Sequence, residues 1–377
     1  MAGGGRVKRK VLITGGAGYL GYKFAKRLLA KTDEELVLWL RANDADAFVA
    51  KRRTYEPLFA EHPGRVSFAW GDLSMPAPFE SVDASAIKTI FHPAADTRFN
   101  IDETTADIVN VAGTDKVLAF ARRCPSLECV AIVSTIYSAG LLGGSIEETL
   151  LGSDAGFANH YERSKWASER CVDRYGDLPW RIFRTGTVLA DDDEGVVLQY
   201  NIAHKVKRLM FVGLLPIFPG VANMPIYFVT GDFVADAMCT LAQRSAPQTV
   251  YNVCHTAEES LTLGRWLEHA YDSFMRADEF ASRHIMRPIM TELAAFRCLA
   301  ASVETFSRDI VMQAVVKLVN PFAEQMFVTK QVQNDRLRAA FPEYRASDPA
   351  ALLSRVCAHL AATRWGAQTM SARLWEA

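Results

Sequence analysis

Residues 10–29, KVLITGGAGYLGYKFAKRLL, set an apolar run, a turn with glycine at 15, 18 and 21, and an amphipathic run in direct succession. KVLIT has the length and character of a buried strand, and the residues after Gly18 carry apolar side chains at helical spacing. The pattern is G-x-x-G-x-x-G. Glycine admits the tight turn, lets a pyrophosphate approach the backbone and lets the helix pack closely on the sheet. Such glycines also occur in plain turns, but strand, glycine turn and helix in this order predict a dinucleotide-binding βα unit.

The same alternation continues outward through the first 190 residues. Strands are predicted at 10–14, 36–40, 65–69, 88–92, 129–134 and 180–184, with helix-like stretches near 19–31, 44–60, 103–123 and 159–175. Right-handed crossovers turn that order into an α/β, doubly wound (Rossmann) parallel sheet. After Arg184 the pattern loosens into GLLPIFPGVANMP (213–225), loops suited to lining a pocket. MPIYFV and TGDFVADAMCTLAQ read as a return to the core as strand and helix, and from about 258 onward the period is helical. The predicted division is 1–190 with 226–256 as the nucleotide-binding domain, and 191–225 with 257–377 as a smaller, mainly helical substrate lobe.

Composition limits the function classes. The chain has 377 residues, half of them hydrophobic, and 42 Lys and Arg against 43 Asp and Glu leave a net charge of −1. Nothing here suits a nucleic-acid partner. The seven cysteines are scattered without CxxC or Cys/His metal spacing, which predicts reduced thiols, no metal and a cytoplasmic setting. No signal peptide and no run of eighteen apolar residues is legible, and the Gly-rich start reads as a disordered tail.

Two positions bear on cofactor choice. The second strand ends LWLRAND, where a carboxylate would hold the adenosine ribose, yet Arg41 stands there. A guanidinium at that place pairs with a 2′-phosphate and stacks on adenine, favouring NADPH over NADH; a solvated surface arginine is the alternative. In GDLS, Asp72 follows the third strand, placed either to accept from the adenine amino group or to cap a turn. In YERSKWASE (161–169), Tyr161 and Lys165 are four apart and share a helix face. A free phenol titrates near ~10, and an adjacent ammonium together with an oxidised nicotinamide would pull it down.

In this order, TGGAGYLG, GDL, FHPAA (91–95), VNVAGT (109–114), IVST (132–135) and YERSK make the chain resemble the extended short-chain dehydrogenase/reductases. The resemblance implies that Tyr161 is the general acid/base and that Lys165 holds the nicotinamide ribose. It implies that Thr135 bonds the substrate oxygen and that Asn110 supports the lysine from the central helix. Cofactor contacts are implied for Gly15, Gly18, Tyr19, Leu20, Gly21, Arg41, Asp72, Leu73, Ala94 and Lys165. LWLRA, FHPAADTRF and YERSKWASE are most similar to thioester reductase domains and fatty acyl-CoA reductases. That branch implies hydride delivery from NADPH to an acyl thioester held on CoA or a carrier protein, giving aldehyde or alcohol. Thr185, where the branch has proline, and Thr230-Gly231, where it has a valine-rich stretch, depart from the pattern.

Three whole readings follow. The first is a reductase of a hydrophobic acyl thioester, ketone or aldehyde. The second is an NAD(P)-dependent nucleotide-sugar epimerase or dehydratase, against which Arg41 and the apolar C-terminal region argue. The third is a dinucleotide-binding regulator, against which Thr135, Tyr161 and Lys165 together argue. LAAFRCLAASVETF and IVMQAVVKLVNPF (293–322) read as helices packed on the core, as a lid over an acyl chain, or as a peripheral membrane contact. HKVKR (204–208) reads as a solvated helix face or a phosphate contact. A homodimer follows only from the resemblance.

Overall fold

The computed structural model describes residues 9–365. The Gly-rich start, read as a tail, lies largely outside them. Seven strands form one all-parallel sheet: β1 (Lys10–Thr14), β2 (Glu35–Arg41), β3 (Val66–Gly71), β4 (Ile87–His92), β5 (Cys129–Thr135), β6 (Trp180–Thr185) and β7 (Thr249–Val253). Their order across the sheet is β7-β6-β5-β4-β1-β2-β3. The chain thus winds outward from β1 in both directions, and the order reverses between β1 and β4. The doubly wound expectation holds, extended by β7, which pairs with β6 from Thr249↔Arg181 to Val253↔Thr185.

Alternating strand residues build two core layers. On β1, Val11 and Ile13 join a cluster with Phe24 and Leu28 of helix α1 (Tyr19–Lys31), whereas Leu12 faces Trp39, Ile90 and Val117 on the other side. Both sheet faces are covered by helices, so the strands carry no polar face, as parallel strands require. Helix α2 (Ala45–Tyr55) is capped by Asp44, whose side chain accepts from Ala47 N. Between β4 and β5 the chain forms α3 (Glu103–Ala106), a π-helical stretch Asp107–Ala112, and α4 (Gly113–Arg122). Helix α5 (His160–Arg170) follows β5, capped by Asn159, which accepts from Glu162 N.

A separate apolar cluster lies under α6 (Ile202–Phe211), α8 (Leu263–Phe274) and the helices Leu293–Phe306, Ile310–Ala323 and Pro349–Ala362. Phe296, Val303, Val316 and Phe322 are buried in it, so the two C-terminal amphipathic stretches do pack inward. Their connecting tip does not: Phe306 and Ile310 are 82% and 81% exposed. The chain then returns to the sheet domain. Lys330–Val332 pairs in parallel with Gly144–Ile146, and Val332, Leu337 and Phe341 are buried in the same cluster as Val11 and Phe91.

Helix α7 (Gly231–Arg244) packs on α1 through charges: Lys23 reaches Asp232 at 2.7 Å and Asp191 at 2.9 Å, and Lys31 reaches Asp236 at 2.6 Å. This packing explains Thr230-Gly231. Thr230 caps α7 by accepting from Phe233 N, and a Cβ on Gly231 would stand 1.9 Å from the Tyr19 hydroxyl. A valine cannot occupy that place beside Tyr19.

Candidate active site

The glycine turn opens into the crevice at the order reversal. Gly15 has φ +62°, a left-handed conformation suited to glycine, and an added Cβ would lie 3.1 Å from Ala94 Cα at the end of β4. Gly21 packs so closely that a Cβ would meet Gly15 O at 2.3 Å. Gly18 is the N-cap of α1, with no capping side chain and no acidic residue in the first turn. Backbone N–H groups at that helix start are thus open to an anion, and these features together fit a dinucleotide pyrophosphate. The Tyr19 side chain points elsewhere: its hydroxyl donates to Asp191 Oδ1 at 2.7 Å, leaving only its backbone, with that of Leu20, at the turn.

Arg41 ends β2 with its side chain 76% exposed, and its Nε donates to Asp72 Oδ2 at 2.8 Å. The other Asp72 oxygen accepts from Ser74 N and Ser74 Oγ, at 2.8 and 2.6 Å. Asp72 therefore behaves as the turn-capping residue of the two readings, and it also steadies Arg41. Its carboxyl is held below the ordinary value by the Ser74 and Arg41 bonds, against the opposing pull of burial. Leu73 is buried against Gly113 of the central helix.

A buried polar chain joins the glycine turn to that helix. His92 Nδ1 meets Thr14 Oγ1 at 2.8 Å, and Nε2 meets Thr114 Oγ1 at 3.2 Å. Thr114 already donates to the Asn110 carbonyl at 2.7 Å, so Nε2 carries the hydrogen and Nδ1 accepts from Thr14. Burial, with Lys165 nearby, lowers His92 to about 3, so the ring is neutral. Asn110 sits in the π-helical stretch, and its amide is fully engaged. It accepts from Asp96 N at 2.8 Å and donates to Asp96 O at 3.0 Å and to Ser164 Oγ at 2.9 Å. Asn110 thus anchors α5 through Ser164, one residue before Lys165.

Thr135 ends β5, Tyr161 and Lys165 lie one turn apart in the first half of α5, and all three are buried. The Lys165 ammonium donates to Val133 O at 2.8 Å, and the Thr135 hydroxyl accepts from Tyr137 N at 3.3 Å, its influence reaching the Tyr161 phenol. The expected lowering of the tyrosine is not produced by the chain's own groups. Burial pushes Tyr161 above its ordinary value, partly opposed by the Thr135 hydroxyl and reinforced by Glu162. Burial likewise lowers Lys165 to about 8, against the pull of Glu169. Beneath them, Glu169 and Arg184 form an ion pair at 2.6 Å with side chains 1% and 0% exposed, and Ser134 Oγ donates to Glu169 at 2.5 Å. Arg184 also donates to the carbonyls of Glu147 and Thr149, so the buried charges are saturated. Thr185 donates to Ser134 O at 3.2 Å, which gives the residue in place of proline a local partner.

An apolar pocket adjoins these groups. Phe99, Tyr137, Phe228, Trp266, Phe322 and Met326 are among its lining residues. Phe99 bridges site and pocket, with its ring centroid 5.2 Å from Tyr161, 5.7 Å from Tyr137 and 6.4 Å from Phe322. The basic cluster at 204–208 divides. Lys205 and Arg208 are exposed, but His204 and Lys207 are buried, so neither the solvated-face nor the phosphate reading holds for those two. His204 bonds Leu189 O at 2.8 Å, and Lys207 stands 5.3 and 5.1 Å from the ring centroids of Phe228 and Trp266. Sequence reasoning also passed over His92 and Ser164, although both lie inside the motifs it used.

Residues 13–238, more than half of the chain, match the NAD-binding family model described as Male sterility protein. The chain belongs to this family. Within the extended short-chain dehydrogenase/reductases it falls in the thioester-reductase-like and fatty acyl-CoA reductase-like branch, and it spans less than a fifth of the first of the relatives it matches. A fatty acyl-CoA reductase of Drosophila melanogaster is 23% identical over 360 residues, covering 81% of this chain and 70% of the fly protein. The isonitrile lipopeptide synthase of Streptomyces coeruleorubidus is 26% identical over 276 residues, covering 69% of this chain but 18% of that synthase. The family fold is seen again in the terminal R domain of the myxalamid PKS-NRPS pathway, with a TM-score of 0.72 at 18% identity over 96% of this chain and 92% of that one. Among the described residues, no helix is long and apolar enough to cross a membrane, and no group of three or more His, Cys, Asp or Glu gathers to hold a metal.

Proposed function

We propose that the chain is an NADPH-dependent reductase of acyl thioesters carried on CoA or on a carrier protein, releasing aldehyde or alcohol. The supporting observation is the buried Tyr161, its ring 5.2 Å from Phe99, which in turn lines an apolar pocket with Tyr137 and Phe322. In this reading residues 9–190 and 226–256, with the returning segment 330–341, hold the cofactor, while 191–225 and the rest of 257–365 shape the acyl pocket, in a cytoplasmic, reducing setting that suits the chain's free cysteines.

The glycine turn would hold the pyrophosphate, Arg41 the 2′-phosphate and Lys165 the nicotinamide ribose. When bound, NADPH supplies the hydride. Thr135 and Tyr161 present two hydroxyls to the carbonyl oxygen, and charge developing there is stabilised in a buried, water-poor setting. Tyr161, held protonated by burial, donates its phenolic hydrogen bond and then its proton to that oxygen. The resulting hemithioacetal expels thiol and leaves aldehyde. Asn110 keeps α5, and with it the phenol, at a fixed place relative to β5.

The test follows NADPH oxidation at 340 nm with a panel of acyl-CoAs, aldehydes and ketones, for the wild type and Tyr161→Phe. Oxidation with acyl-CoA that falls about 10²–10⁴-fold in the variant supports the reading. Turnover of ketones alone discards the thioester assignment.

A further inference from the structure

The pocket wall and the catalytic helix are fastened to each other through one buried amide. Glu162, directly after Tyr161, is fully buried. Its carboxylate accepts from Ala158 N at 3.0 Å, from Asn159 Nδ2 at 3.0 Å and from Gln325 Nε2 at 2.8 Å. Gln325 Nε2 also donates to Gly140 O at 2.8 Å, in the turn that follows Thr135 and Tyr137. Gln325 Oε1 accepts from the buried Lys330 ammonium at 2.7 Å. Asn159 adds a second tie, donating to Pro321 O at 3.0 Å.

Gln325 lies in the 3₁₀ turn Glu324–Phe327, between Phe322 and Met326 in the pocket wall and the strand Lys330–Val332. A carboxylate and an ammonium buried this deeply are strongly disfavoured unless every donor and acceptor is used, and the amide uses both at once. Moving the pocket wall without moving α5 would strand Glu162 or Lys330, each a large penalty. Wall and helix must therefore move together.

We propose that Glu162, Gln325 and Lys330 are positioning residues that make seating of the acyl chain against Phe322 and Met326 and placement of the Tyr161 hydroxyl a single event. The proposal rests on the thioester-reductase reading for its substrate but not for its mechanics. It assigns a specificity mechanism: a long acyl chain fills the pocket and sets the phenol, whereas a short chain leaves the wall loose.

Two measurements test it. Hydrogen exchange compares the wild type with Gln325→Leu and with Glu162→Gln, and needs no substrate. The expected result is that residues 160–170 and 321–332 lose protection together, by about tenfold or more. Loss confined to 321–332 overturns the proposal. The second measures kcat and KM for short and long acyl-CoAs. In the wild type the long chain has the higher kcat, and Gln325→Leu removes that advantage by lowering the long-chain kcat at least tenfold more than the short-chain kcat. Equal loss for both chains marks the network as merely structural and overturns the proposal. The exchanged pair Glu162→Gln with Gln325→Glu restores a donor–acceptor link to Lys330 and recovers part of the long-chain kcat; no recovery counts against it. If no acyl-CoA is reduced by the wild type, the substrate reading fails, and the exchange result alone still decides the coupling.

Discussion

The ammonium of Lys165 is bound to strand β5, donating to Val133 O at 2.8 Å, and not to the phenol of Tyr161 one helical turn away. The lysine is thereby held at the strand end with donors to spare for a ribose. Its charge is costly there, which is why its proton is held less firmly than usual, at about 8. Lys165→Met should leave the fold intact while weakening NADPH binding and lowering kcat about 10²-fold or more, through lost positioning and electrostatics. Fluorescence titration of NADPH, beside steady-state rates, checks both effects.

Arg41 is largely exposed on its outer side, and Asp72 is its ion-pair partner among the described residues. A guanidinium bonded to a 2′-phosphate contributes about 1.5–3 kcal/mol, or roughly ten- to a hundredfold. Arg41→Ala should lower kcat/KM for NADPH by that factor and leave NADH nearly unchanged. An equal loss for both cofactors would show that Arg41 acts on the adenine and not on the phosphate.

Lys207 is buried between Phe228 and Trp266, and its ammonium donates to Ala203 O of its own helix at 3.3 Å. Burial lowers it to about 8 from an ordinary 10.5, slightly opposed by Cys357. The native chain therefore binds fewer protons here than the unfolded chain between those values. Stability from this group is full above 10.5 and is lost as pH falls through about 8. Lys207→Met should raise stability at neutral pH by roughly 1–4 kcal/mol, an advantage that shrinks toward pH 10.5. Denaturant unfolding at a series of pH values measures it.

Gly231→Ala places a methyl group 1.9 Å from the Tyr19 hydroxyl and 2.9 Å from Tyr19 Cζ. Tyr19 is buried and tied to Asp191, so it yields little. A destabilisation of about 1–3 kcal/mol is expected, as for overpacked cores. Tyr19→Phe in the same chain should recover part of it, because the ring carbon remains close. Thermal unfolding of the single and double variants is the measurement.

The six strands read from sequence were legible because parallel strands between two helical layers are mostly apolar, and most are followed directly by glycine, proline or a charged residue. Strand β7 was not legible: TVYNV is interrupted by the polar Asn252. That residue is buried because its amide donates to Ile146 O and Gln333 O, partners far away in sequence. Tyr161 and Lys165 were legible from local spacing, and the family match rests on the same local motifs. Glu162 was not, although it sits inside the quoted stretch, since its meaning comes from Gln325, 163 positions away. Lys207 misled for a related reason. A charged letter on a helix suggests water, and only the packing of α6 against α8 and the strand Phe228–Thr230 shows two aromatic rings in its place.

The return of the chain to the sheet domain has a consequence for how this architecture can be recombined. Glu148, in the segment after β5, accepts from the backbone of Arg336 and Leu337, and Phe341 completes an apolar layer begun at Val11. The C-terminal helical part is therefore threaded into the sheet domain, not appended to it. A chimera that swaps everything after residue 257 for a relative's sequence would replace part of the nucleotide domain's interior as well. Exchanging acyl preference between relatives should succeed only when the graft stops short of the Lys330–Val332 strand.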